Sequence, residues 1–280
     1  MTEALVLGGG GVAGVAWITG LLAGLADAGQ DVTQADVIVG TSAGSVVGAQ
    51  LAHGLGLEEL YARQVEPERQ TAEVAANVDL ESYAAQMAAL VQHASSHTEM
   101  RRAVGRFALD AKNEPGAVRR TVIESRIPSD KWPARDLKIV AVDALSGQPR
   151  VFDKASGVSL IDAVTASCAV PGVWAPATID GHRYIDGGVR SMANADYAAG
   201  ASRVLVIVPL GTEELMPSEK PLDQAIPELR AGGSEVVVIG PDHASRAAFG
   251  VNPLDPSTRE PAAQAGRAQG SGLKIAWGQS

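Results

Sequence analysis

Val37-Ile38-Val39-Gly40-Thr41-Ser42-Ala43-Gly44 is the stretch that decides the fold, and the chain continues from it as far as His53 in a segment that reads as a helix. An apolar strand therefore enters a glycine-flanked turn, and a helix leaves it. That is the context the nucleophile-elbow pattern G-x-S-x-G requires, with Gly40 and Gly44 as its glycines. The turn is tight, so a side chain at either flank would collide with the adjoining strand or helix. It lifts the Ser42 hydroxyl clear of the sheet, at the positive end of a helix dipole. The plainer alternative is a glycine-serine turn in which Ser42 only caps the helix.

Upstream, Glu3 to Leu7 is a short apolar run ending in Gly8-Gly9-Gly10-Gly11-Val12-Ala13-Gly14. Residues 14 to 28 then recur as a helix through Val15, Ile18, Leu22 and Leu25, with Gly29 at its C-terminus. Strand, helix, strand, helix at this density predicts an α/β fold with parallel pairing. Gly9, Gly11 and Gly14 also satisfy G-x-G-x-x-G, but a dinucleotide site wants an acid at the end of the second strand. That strand ends in Gly40, and Asp36 stands at its start. The glycines read better as an anion-binding nest, which acyl transfer needs for its oxyanion. Adjacent parallel strands would bring the nest and Ser42 to one edge of the sheet.

Downstream, residues 57 to 125 show helical periodicity and no strand, so a helical insertion is expected there. Its stripe from Leu80 to Val91 reads as core packing rather than a lid, and Arg101, Arg102 and Arg106 as a solvated face rather than a membrane contact. Strands are expected at Leu137–Val142, Arg150–Phe152, Arg183–Ile185, Arg203–Val208 and Glu235–Ile239, with a helix at Leu160–Ser167. Gly211 to Pro221 reads as a mobile loop, and Ser257 with Glu260 as the capping box of a closing helix. Residues 1–280 form a single domain in this reading.

Composition narrows the function. A net charge of −9 and a pI near 5.1 argue against nucleic acid. One cysteine, Cys168, allows no disulfide framework and reads as a small core residue, and no metal-ligand spacing occurs. The first basic residue is Arg63, so the apolar stretch from Val12 to Ala26 lacks the leading charge of an export signal and is too short to span a bilayer. The sequence predicts no leader, no transmembrane helix and a cytoplasmic location, with any membrane contact peripheral and apolar. It does not give an oligomeric state.

The site needs a base. Asp186, in Tyr184-Ile185-Asp186-Gly187-Gly188 after a short strand, stands out against His53, His93, His97 and His182, and His243 is the competitor. With Gly9–Gly14, Gly40–Gly44, Asp186-Gly187-Gly188 and the stretch Ala166 to Pro176, the chain resembles the patatin-like phospholipases, serine lipid acyl hydrolases. The resemblance runs from residue 9 to 188. It implies a three-layer α/β/α sandwich around a mostly parallel mixed sheet, a Ser42–Asp186 dyad with Asp186 as proton acceptor, and oxyanion donors in Gly9, Gly10 and Gly11. No cofactor or metal is implied, and the partner is a lipid or ester substrate. The chain departs from the pattern at Ala13, where the family usually carries Arg or Lys, which favours a neutral substrate. Three alternatives remain: a Ser–His–Asp esterase using His243, a transacylase, and a catalytically silent lipid-binding member.

Overall fold

The computed structural model describes residues 1–76, 78–113, 116–213 and 216–275. Its strands are β1 (Glu3–Leu7), β2 (Val37–Thr41), β3 (Asp136–Asp143), β4 (Pro149–Phe152), β5 (Ala177–Ile179), β6 (His182–Asp186), β7 (Arg203–Ile207) and β8 (Glu235–Ile239). Its helices are α1 (Gly11–Asp27), α2 (Ala43–Ala52), α3 (Leu57–Val65), α4 (Leu80–Gln92), α5 (His97–Asp110), α6 (Gly116–Glu124), α7 (Leu160–Ser167), α8 (Leu222–Ala231), α9 (His243–Ala248) and α10 (Arg259–Gly272). One mixed sheet holds all the described strands. β3, β2, β1, β7 and β8 lie side by side in parallel, while β4 and β6 run antiparallel to β3, and β5 antiparallel to β6.

Alternation along the strands builds the layers. Leu5, Leu7, Ile38, Ile139, Leu205 and Ile207 face the main core under α1, α2 and α7. Val6, Val39, Val140, Val204 and Val206 face the other way, where Leu222, Ala225 and Leu229 of α8 cover them. Farther along that second face, Val142 and Ile185 meet Met87 of α4 and Val104 and Ala108 of α5. The fold is α/β with helices on both sides of the sheet. α1 is apolar on every side because it is covered twice, by the sheet and by α10. Gly20 and Gly24 make this possible: a Cβ there would come within 2.0 Å of Ala263 O and 2.1 Å of Arg267 O.

The structure differs from the sequence reading in several places. α1 starts at Gly11 rather than residue 14, because the Gly14 N–H already donates to Gly10 O at 2.8 Å, while Gly11 takes φ +63° where the chain turns into the helix. The Ser257–Glu260 capping box does not form. Asp255 accepts the Ser257 N–H at 2.8 Å instead, and one short turn precedes α10. Arg101 is buried rather than solvated, bonding Gly147 O and Glu219. That ion pair also ties down the described end of the 211–221 loop, and Ser218 donates to Arg190 O at 2.9 Å.

Candidate active site

The chain forces Ser42 into an unusual backbone, φ +50° and ψ −116°, at the junction of β2 and α2. For a residue with a Cβ this is strained by about 1–3 kcal/mol, and it persists only because the surroundings over-determine it. Two glycines do much of that. A Cβ on Gly44 would lie 1.9 Å from Leu7 O, and one on Gly40 2.6 Å from Ser45 Cα. Behind the turn, the Ser42 N–H donates to Ser167 Oγ at 2.9 Å, and that hydroxyl donates to Val140 O at 2.7 Å. Ser45 Oγ donates to the Ser42 carbonyl at 2.6 Å.

Register explains how Asp186 reaches this turn. β2 runs parallel to β3 and ends with Thr41 opposite Val140. β6 runs antiparallel to β3 and ends with Asp186 opposite Ala141, the next residue. Since β4 occupies the other edge of β3 at both positions, β2 and β6 share one edge and meet end to end. Ser42 and Asp186 therefore arrive together from opposite directions. Both are nearly closed off, 7% and 5% exposed.

Burial pushes the Asp186 carboxyl up to about 6, and the Ser42 hydroxyl, the Gly188 N–H and the Arg119 charge offset part of the rise. Oδ1 accepts from Gly188 N at 2.7 Å, whereas Oδ2 has no hydrogen-bond partner among the described residues. The Ser42 hydroxyl thus biases the carboxyl without closing to a bond at normal geometry, a looseness common in unliganded sites.

The glycine-rich turn lies against Ser42: a Cβ on Gly9 would stand 3.5 Å from Ser42 Cβ. Gly9 itself corrects the sequence reading, because its N–H is engaged by Met192 O at 2.9 Å. Gly8 likewise donates to Ile207 O at 2.9 Å. The N–H groups of Gly10 and Gly11 donate to nothing among the described residues, and neither does that of Ala43, one residue past Ser42. Ala43 was missed, although the G-x-S-x-G pattern itself points to the amide after the serine. Met192 is a second omission. Its Sδ and Cε lie 2.9 and 2.6 Å from where Cβ atoms on Gly188 and Gly9 would be, so the side chain lies across the gap between the two loops.

His243 is not brought to the site. It opens α9, which follows β8, three strands from β2 or about 14 Å at ordinary strand spacing. It is exposed, and no hydrogen bond or ion pair joins it to Ser42 or Asp186. Both ring nitrogens of His53 meet backbone carbonyls, of Ala49 and Lys131. Cys168 is buried with its thiol pushed up to about 11, so it stays protonated at neutral pH. Trp174 is buried beneath the Arg119 guanidinium, 4.7 Å from its ring centroid. Arg119, on α6, is thus a cation whose field reaches Asp186 although Ala13 supplies none.

Among the described residues no His, Cys, Asp and Glu cluster could hold a metal ion, and no helix is long and apolar enough to cross a membrane. No curated protein matches the chain. Two solved structures show likeness at low similarity. VipD from Legionella pneumophila is 13% identical with a TM-score of 0.42, over 89% of this chain and 53% of its own. The type III effector protein ExoU is 14% identical with a TM-score of 0.36, over 97% of this chain and 54% of its own. The chain thus spans about half the length of each. The model of the family described as patatin-like phospholipase matches residues 5–199, which is 195 of the 280, and the chain belongs to that family.

Proposed function

We propose that the protein is a serine acyl hydrolase that cleaves carboxylic ester bonds of lipids through a Ser42–Asp186 dyad. The observation that carries this reading is the end-to-end meeting of β2 and β6, which sets a strained serine beside a buried carboxyl. Ser42 Oγ attacks the ester carbonyl carbon while its proton passes to Asp186. The tetrahedral oxyanion takes the free N–H groups of Gly10, Gly11 and Ala43, with the dipole of α2 behind them. As the C–O bond breaks, the leaving alcohol takes the proton from Asp186 and an acyl-serine remains. Water then gives a proton to Asp186 and its oxygen to the acyl carbon, and the free acid leaves as Ser42 is reprotonated.

A carboxyl held near 6 suits both halves, since it is largely ionised at neutral pH yet protonates readily. Backbone donors carry the oxyanion without a cation in the glycine turn, which fits an uncharged ester. The test is labelling by a serine-reactive fluorophosphonate, with the modified residue read by mass spectrometry. Labelling is expected at Ser42, absent in Ser42→Ala, at least 100-fold slower in Asp186→Asn and unchanged in His243→Ala. Loss of labelling in His243→Ala would replace the dyad by a triad. A wild type that takes no label, even with detergent-dispersed ester present, would leave a lipid-binding protein without turnover.

A further inference from the structure

Away from Ser42, three arginines are buried around a single carboxylate. Glu73, with a side chain only 3% exposed, pairs with Arg119 Nη1 at 2.6 Å and with Arg126 Nη2. Arg259 joins from α10 and is 5% exposed, and among the described residues its side chain bonds only a backbone carbonyl, Thr71 O at 3.1 Å. Three guanidinium groups surround this one carboxylate, and even with the Asp186 carboxylate in the field of Arg119 the cluster stays net positive. Burial and the nearby Arg126 both pull the Arg259 pKa down, with Glu73 the carboxylate that opposes them. Uncompensated buried charge is unfavourable, so such a group calls for a counter-ion.

The cluster also has room for one. Arg126, Arg259, Arg63, Gln50, Gln64 and Thr71 border a small cavity against Val12 and Val15 of α1, with space for about one water-sized sphere. The remaining N–H groups of Arg259 bond to nothing among the described residues. We propose that this cavity binds one small monovalent anion, chloride in size and charge, held by Arg126 and Arg259. A phosphate or carboxylate group exceeds the available space. The competing occupant is a water molecule donating to Gln50 Oε1, which is buried there without a donor.

The two occupants predict different melting. The full chain is heated in sodium chloride and in sodium gluconate at equal ionic strength, so that screening is constant. Chloride is expected to raise the Tm by about 3 °C, the shift for a ligand at roughly ten times its Kd in a chain of this size. Arg259→Met, which keeps the bulk and removes the charge, is expected to melt alike in both salts. A bromide-soaked crystal should show an anomalous peak between Arg126 and Arg259. Equal melting of the wild type in the two salts, a chloride increment retained by Arg259→Met, or no bromide peak would each overturn the assignment.

Discussion

Asp186 links the chemistry to stability through one number. In the folded chain the carboxyl holds its proton up to about pH 6, whereas the unfolded chain releases it near 3.8. Folding therefore takes up a proton between these values, and stability falls as pH rises through that window. Asp186→Asn is expected to melt higher than the wild type at pH 8, by up to about 3 kcal/mol, with the gap closing toward pH 4. Activity runs the other way, because the base must be ionised: kcat/KM should drop below an apparent pKa of about 6. A flat profile from pH 5 to 8 would remove Asp186 as the base. Met192 makes a second case. Shortening it to Ala leaves both loops in place and opens the gap between Gly9 and Gly188, so turnover of a small soluble ester should rise about two- to fivefold. A fall would mean that the Met192 side chain holds the two loops in place by its packing, since the backbone bond to Gly9 survives the substitution.

Elements follow the sequence where their periodicity is long and depart from it where contacts decide. The runs at Glu3–Leu7, Val37–Val39 and Arg203–Val208 are legible because strands buried on both faces are nearly all apolar. β5 is not, having only Ala177, Thr178 and Ile179 to show. Its signal was the turn: Asp180 and Gly181 both take positive φ, at 50° and 80°, as a two-residue hairpin loop demands. Arg101 could not be placed from spacing, since the carbonyl and carboxylate that receive it lie 46 and 118 residues away. The engagement of Gly9 is equally non-local. The α1–α10 contact was invisible for the same reason, and it is steep: Gly24→Ala would drive a methyl into Arg267 O. A loss of about 3 kcal/mol is expected, lowering the Tm by roughly 6–12 °C. A shift below 2 °C would mean that the two helices can separate freely.

At the scale of the whole molecule, the family match stops before the sheet is complete. Residue 199 precedes β7, which fills the second edge of β1 in the middle of the sheet, and it precedes α10, which covers α1. A chain ending at 199 is expected to show no cooperative melting and no near-ultraviolet dichroism, and a folded fragment of that length would disprove the role given to β7. Burial of both reactive groups is likewise a property of the assembled layers rather than of either motif. The head-on arrangement of β2 and β6 carries a rule of parity. Side chains alternate along a strand, so one residue added within β6 would turn the carboxylate to the opposite face of the sheet, and a second would turn it back. Length variants surviving selection for ester cleavage should therefore carry even changes between His182 and Asp186, with odd ones confined to the loops on either side.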